Sequence, residues 1–292
     1  MLVKRHRFGI DMRVIILILL ATTAFGQSNL KRPEELYNQT EYQASLSLLR
    51  ESAPATPEKY CLEGRNYFML GDFKKATDAF EKAFDADSSN SVYAHWLGRS
   101  YGRRAETSNM LAAPHYASKA RFYFEKAVAL NPNNGEALND LFDYYLEAPG
   151  FLGGGFDKAE QVAKRIAQHD EAEGHFAQAQ LADRRRQFDT AEEQLRRAME
   201  LAPRQVGRVI DLAKYLAKHG RIQESEAAFD RAERLEPNNP GVKFARARVY
   251  IDQKRNLDKA RELLRSYLES KLTPDDPSRE QAQKLLRQIA GA

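Results

Sequence analysis

The stretch Gly64–Asn90, "GRNYFMLGDFKKATDAFEKAFDADSSN", decides how this chain is read. Set beside Ala213–Asn239, "AKYLAKHGRIQESEAAFDRAERLEPNN", it keeps the same residue types in the same places. Gly64 and Tyr67 correspond to Ala213 and Leu216, and Gly71 and Phe73 to Gly220 and Ile222. Ala76, Phe80 and Ala83 then correspond to Ser225, Phe229 and Ala232. Each segment breaks at its inner glycine into two stretches whose apolar residues recur every three or four positions, the spacing of one helix face. Small residues on the first stretch let it approach the second closely, and large ones fill the space between pairs. The unit is a helix, a tight turn and a helix.

The same frame returns along the chain. Leu97, Gly98, Tyr101, Ala120, Phe124, Ala127 and Pro132 mark a second unit, and Leu141, Tyr145, Ala159, Ala163 and Ile166 a third. Ala179, Ala182, Phe188, Ala191, Leu195, Ala198 and Pro203 mark a fourth, and Ala247, Tyr250, Ala260, Leu264 and Tyr267 a sixth. This order of small residue, aromatic, alanine and proline resembles the tetratricopeptide repeat (TPR), a unit of about 34 residues. The resemblance covers about residues 57–270 as six units, at 57–90, 91–134, 135–171, 172–205, 206–239 and 240–270. It implies an all-α fold, a right-handed α-solenoid in which stacked units bury what one helix pair leaves open. Residues 27–56 read as a partial repeat with a complete second helix. Residues 271–292 read as a C-terminal capping helix with Asp276 as N-cap, Pro277 at its first position, and Leu285, Leu286 and Ile289 buried. The family's tryptophan is replaced by Ala94, with Trp96 beside Leu97, and the third unit departs furthest, with Phe142 at a small position and Glu171 for the closing proline.

Two units carry insertions. Tyr67 to Ala76 spans nine steps, but Tyr101 to Ala120 spans nineteen and Tyr145 to Ala159 fourteen. Both excesses fall between the two helices of a unit, so they are expected side by side on one edge of the solenoid. The first is "GRRAETSNMLAAPHYAS", with His115 and Tyr116 as candidate edge-loop contacts; the second lies in "PGFLGGGFDKAE", Pro149–Glu160. Gly150 and Gly155 have the separation of a phosphate-binding Gly-x-x-x-x-Gly-Lys-Ser/Thr loop. Phe156-Asp157 stands where Lys-Ser/Thr is required, and Asp157, a candidate N-cap, repels an anion. A shaped turn is the better reading: Gly150, Gly153, Gly154 and Gly155 take unusual backbone angles, while Phe151, Leu152 and Phe156 anchor it on the neighbouring insertion.

The chain ends and composition bound the function. Residues 1–26 combine the basic "MLVKRHR" with the apolar "VIILILLATTAFG", the pattern of an export signal peptide cleaved before Gln27. An uncleaved anchor and a start at Met12 are the alternatives; after cleavage no apolar run is long enough for a membrane span. The chain has 45 basic and 41 acidic residues, but removing the leader leaves 41 against 40, so no nucleic-acid partner is implied. The single cysteine, Cys61, cannot form an internal disulfide and reads as a small apolar helix residue. No catalytic motif or cofactor signature is present, and His169 and His175 lack the one-turn spacing of a helical zinc site.

In the family the concave groove is lined by the first helix of each unit. Carried over by position, the groove here takes Arg65, Phe68, His95, Arg99, Arg103, Asn139, Asp143, Phe176, Lys214, Phe244 and Arg248. Arg65, Arg99, Lys214 and Arg248 are equivalent basic positions and hint at an anionic ligand. The lysine and asparagine with which some members hold chaperone tails are replaced by Cys61 and Arg65. The expected function is a non-enzymatic, exported, periplasmic scaffold for a protein or peptide partner. The alternative is a periplasmic module that binds a small, anionic molecule for a transport system.

Overall fold

The computed structural model describes residues 30–52 and 54–290; the leader expected at residues 1–26 lies outside them. Every regular element among the described residues is helical. Helical residues 30–38 (α1) and Tyr42–Ser52 (α2) form a pair ahead of the first unit. The six units follow as α3 (Pro57–Met69) with α4 (Phe73–Ala86), α5 (Ser91–Thr107) with α6 (Ala113–Leu130), and α7 (Gly135–Glu147) with α8 (Phe156–His169). Then come α9 (Glu171–Arg184) with α10 (Phe188–Leu201), α11 (Val206–Lys218) with α12 (Ile222–Leu235), and α13 (Pro240–Asp252) with α14 (Leu257–Glu269). The closing helix is α15 (Arg279–Gln288). Each helix packs on its neighbours in chain order, and no helix among the described residues is long and apolar enough to cross a membrane.

The small-against-large rule is visible in atomic detail. A Cβ on Gly64 would meet the Phe80 ring at 2.6 Å, and one on Gly98 would meet the Phe124 ring at 2.5 Å. The two units use the same pair at the same crossing, so glycine there is a requirement of approach. The turn after the first helix is equally regular. In the first unit Gly71 N–H donates to the Phe68 carbonyl and Asp72 N–H to that of Tyr67, closing the helix in a Schellman arrangement. The same two bonds recur at Gly220 and Arg221, at Arg186 and Gln187, and at Lys254 and Arg255. The first residue of each pair is left-handed, with φ of 76° at Gly71 and Gly220, 59° at Arg186 and 51° at Lys254. Helix starts are capped by side chains of Thr56, Asp72, Asn90, Asn134, Asp170 and Asn239.

Two expectations are corrected. The closing helix starts two residues later than expected: Ser278 is its N-cap and forms a capping box with Gln281. Asp276 instead accepts from the Thr273 amide and hydroxyl and shapes the preceding turn. The second unit's insertion is not a loop. It extends α5 and α6 to 17 and 18 residues, against 13 and 14 for α3 and α4. His115 and Tyr116 therefore lie on the first turns of α6. Asn109, whose side chain accepts from the Leu111 and Ala112 amides, makes the short reversal between them.

Candidate functional site

The first helices α3 and α5, together with Tyr37 of α1, present an arginine–aromatic ladder. The Arg65 guanidinium lies 4.2 Å from the Tyr37 ring centre and 5.7 Å from that of Trp96. Arg99 covers Trp96 at 4.4 Å and Phe68 at 5.4 Å. Phe68 meets Trp96 edge-on, and Phe80 stacks beneath Trp96 from α4. Delocalised guanidinium groups suit such faces because they are weakly hydrated and attracted by the ring quadrupole. Of the four equivalent basic residues, Arg99 faces Asp140 at 3.6 Å, Lys214 faces Asp211 at 3.5 Å, and Arg248 pairs with Asp252 at 2.9 Å. Arg65 has no ion pair among the described residues, and its Nε is buried without a hydrogen bond.

The expected groove residues separate into two regions. In the first, Phe68, Arg99, Arg103 and Asp143 line a cavity of about 440 Å³ together with Tyr144 and Leu152. Arg65, Arg99 and Asn139 line a second, of about 1000 Å³. His95 is only 2% exposed, with Nε2 2.7 Å from Asp140 and Nδ1 3.9 Å from Glu136, so it ties α5 to α7 more than it meets solvent. Arg103 pairs with Glu106 and covers Phe73. Asp143 is open to water, but burial by the groove walls and the charges of Asp140 and Glu147 push its pKa up to about 6. The second region lies two units on, where Lys214, Phe244 and Arg248 share a largely apolar cavity of about 810 Å³. Between them Arg208 covers Phe176 at 4.8 Å and pairs with Glu173, whose other oxygen accepts from Asn139. That bridge closes the groove floor at Phe176.

The glycine stretch joins the first region from its edge. Residues Gly150–Leu152 form a short 3-10 turn, followed by Gly153 at φ 86° and Gly155 at φ 154°. The Leu152 carbonyl accepts from Arg121 of α6 at 3.1 Å and from the Tyr144 hydroxyl at 2.9 Å. A Cβ on Gly153 would fall 1.6 Å from the Arg121 guanidinium, and one on Gly154 would fall 1.8 Å from the Ala148 carbonyl. These glycines allow two backbones and an arginine to converge; Gly150 has open space around it. The N-cap of α8 is Gly155, with Asp157 in its first turn. Phe151 is 82% exposed and anchors nothing, and Phe156 is also exposed; Leu152 alone packs inward. The contact made with the second unit is to Arg121, inside α6, because the inserted residues lengthen the helices and leave little loop to touch.

Reading by position missed Tyr37, Trp96, Asp140 and Glu147. Trp96 and Asp140 each follow a residue that was selected, His95 and Asn139, and the face of an α-helix is wide enough to hold both. Cys61 is buried, and burial pushes its thiol up to about 12, as fits an inert packing residue.

Comparison with known proteins agrees with this architecture. Family models described as tetratricopeptide repeat match residues 59–90 and 210–277. A tetratricopeptide repeat protein from Parabacteroides merdae is 16% identical, with 92% of this chain and 100% of that one covered at a TM-score of 0.59. A thermophilic TPR protein from Thermus thermophilus is 22% identical, with 65% and 98% covered at a TM-score of 0.54. The two matched segments are tetratricopeptide repeats, and the chain as a whole has the fold of a TPR solenoid. No curated protein matches it.

Proposed function

We propose that this protein is a non-enzymatic scaffold that receives a segment of a partner protein on the concave face of its first three units. The observation that carries this is the ladder of Tyr37, Arg65, Trp96, Arg99 and Phe68. Arginine and large aromatics are the side chains that dominate protein interfaces, and here they are gathered on helices held rigid by their packing. The basic and apolar leader supports a place in the cell envelope, reached by export and cleavage before Gln27. Sequencing the N-terminus of the protein from an envelope fraction checks the location, and a chain recovered from the cytoplasm with its leader intact refutes it.

Crosslinking in the native cells, followed by mass spectrometry, tests the scaffold. The expected result is a reproducible partner whose crosslinks map to α5 and α7. With Arg99→Ala and Arg103→Ala combined, that partner binds at least tenfold more weakly while helicity is unchanged. Unaltered affinity in the double variant removes this face from consideration. The 440 Å³ cavity is the size of a small-molecule site, so absence of a partner, together with a thermal shift from a metabolite mixture, replaces the scaffold with the small-ligand reading.

A further inference from the structure

The cavity of about 1000 Å³ is bounded by both ends of the array. One wall is Tyr37, Arg65, Trp96 and Arg99; the other includes Pro274 and Asp275, from the turn between α14 and α15. Stacked units rotate by a small angle each, and here the accumulated rotation brings the last unit round to the first. The electrostatics report the same approach. Burial is the main cause of the raised Tyr37 and Tyr42 hydroxyl pKa values, and Asp275 adds to both; Tyr42 in turn adds to the rise at Tyr267 in α14.

The turn is built to stay where it is. Leu272 is buried in the last core cluster. Asp276 accepts from the Thr273 amide and hydroxyl at 2.8 and 2.9 Å, and Tyr267 donates its hydroxyl to the Pro277 carbonyl. Arg279 donates to the Ser270 carbonyl at 3.1 Å. Asp275, in the middle of this pinned turn, is exposed and makes no hydrogen bond or ion pair among the described residues. On the opposite wall Arg65 is the one ladder cation without a carboxylate partner. An unpaired anion and an unpaired cation therefore share one cavity.

We propose that the turn at residues 273–277 gates this part of the groove: Asp275 screens Arg65, so that an anionic group of a ligand enters only against its charge. The proposal rests on the concave face of the first units being the binding face, and adds a selecting residue contributed by the opposite end of the chain. A ligand that succeeds must place its anion deeper than Asp275, against Arg65 and Trp96, while a ligand that is neutral at this point is not held back.

Trp96 is the only tryptophan in the chain, so its fluorescence reads this cavity alone. The probes are iodide, an anionic quencher, and acrylamide, a neutral one, both at fixed low ionic strength. Asp275→Asn is expected to raise iodide quenching roughly two- to threefold, the difference fading at high salt as exposed charges are screened. Arg65→Gln is expected to lower it, and acrylamide quenching should stay the same in both variants. Iodide quenching of Asp275→Asn equal to that of the parent overturns the gate. An equal rise with acrylamide also overturns it, because it assigns the change to a loosened turn and not to charge. Neither outcome touches the scaffold reading, which stands or falls on partner binding by the Arg99 and Arg103 double variant.

Discussion

The first three units and the last three share a fold and are joined by different chemistry. In the first half a glutamate after the second-helix phenylalanine takes a tyrosine from the next unit: Tyr101 donates to Glu81, and Tyr145 donates to Glu125 at 2.8 Å. Ring pairs accompany them, with Tyr101 stacked on Tyr123 and Phe80 on Trp96. In the second half a glutamate after the small residue of the second helix takes an arginine from the next unit's turn. Glu192 holds Arg221 in this way, and Glu226 holds Arg255 at 2.7 Å as well as Arg246 and Tyr250. The cores follow suit. One apolar cluster runs from Cys61 to Leu181, whereas beyond it the buried residues fall into three smaller groups. A helical repeat leaves the joint between units free to be aromatic or ionic, and this chain uses both.

The largest effect that would sharpen this contrast is a cavity in the aromatic half. Phe124→Ala empties the space against Gly98 and should cost about 3–5 kcal/mol, read by urea unfolding and by amide exchange in α5 to α8. A loss confined to below about 1 kcal/mol would mean that the aromatic joint contributes little. In the ionic half Glu226→Ala leaves Arg246 and Arg255 with a much-reduced set of partners and should cost about 2 kcal/mol, mostly in α11 to α14. High salt should narrow that difference and leave the Phe124 effect unchanged.

Acid should separate the halves with opposite signs. Burial pushes the Glu226 carboxyl up, but hydrogen bonds from Arg255, Arg246 and Tyr250 outweigh it and hold the group below its ordinary 4.5. Its contribution is thus present above that value and is lost as pH falls through the depressed one. Asp143 is the reverse, raised from 3.8 to about 6, so its penalty is full above pH 6 and is relieved as pH falls from about 6 toward 3.8. Between pH 6.5 and 5, roughly the upper part of that window, amide protection in α7 should rise, and Asp143→Asn should abolish the rise. Protection in α12 and α13 should fall only at lower pH.

The smallest effects lie in the turns, which differ from unit to unit. Gly71 and Gly220 hold the left-handed position without a side chain, but Arg186 and Lys254 hold it with one. Arg186→Gly should stabilise the fourth unit by about 0.5–1 kcal/mol, and Gly220→Ala should destabilise the fifth by about 1 kcal/mol, both by thermal unfolding.

The units were legible because the rule that makes them is local. Gly64 against Phe80, or Gly98 against Phe124, is settled within one helix pair, and its spacing is written in one stretch of chain. The site was legible only in part, for three physical reasons. Asp140 bridges to His95 and so buries a side chain that the helix face directs toward the groove. The residues around Asn109 are good helix formers apart from one short reversal, so the second insertion became extra helical turns and not a loop. Tyr37 and Asp275 meet through a rotation summed over all units, and no single repeat carries that sum.

The bond between Arg121 and the Leu152 carbonyl has a mechanical consequence. A solenoid of nearest-neighbour contacts behaves as a spring, each joint yielding a little. At this joint α6 is strapped to the short turn that follows the next unit's first helix, with the glycines removing any slack. The middle of the spring is therefore a stiff link. Flexing of the array is then taken up on either side of it. Replacing Arg121 would not merely loosen a turn; it would change where the molecule bends.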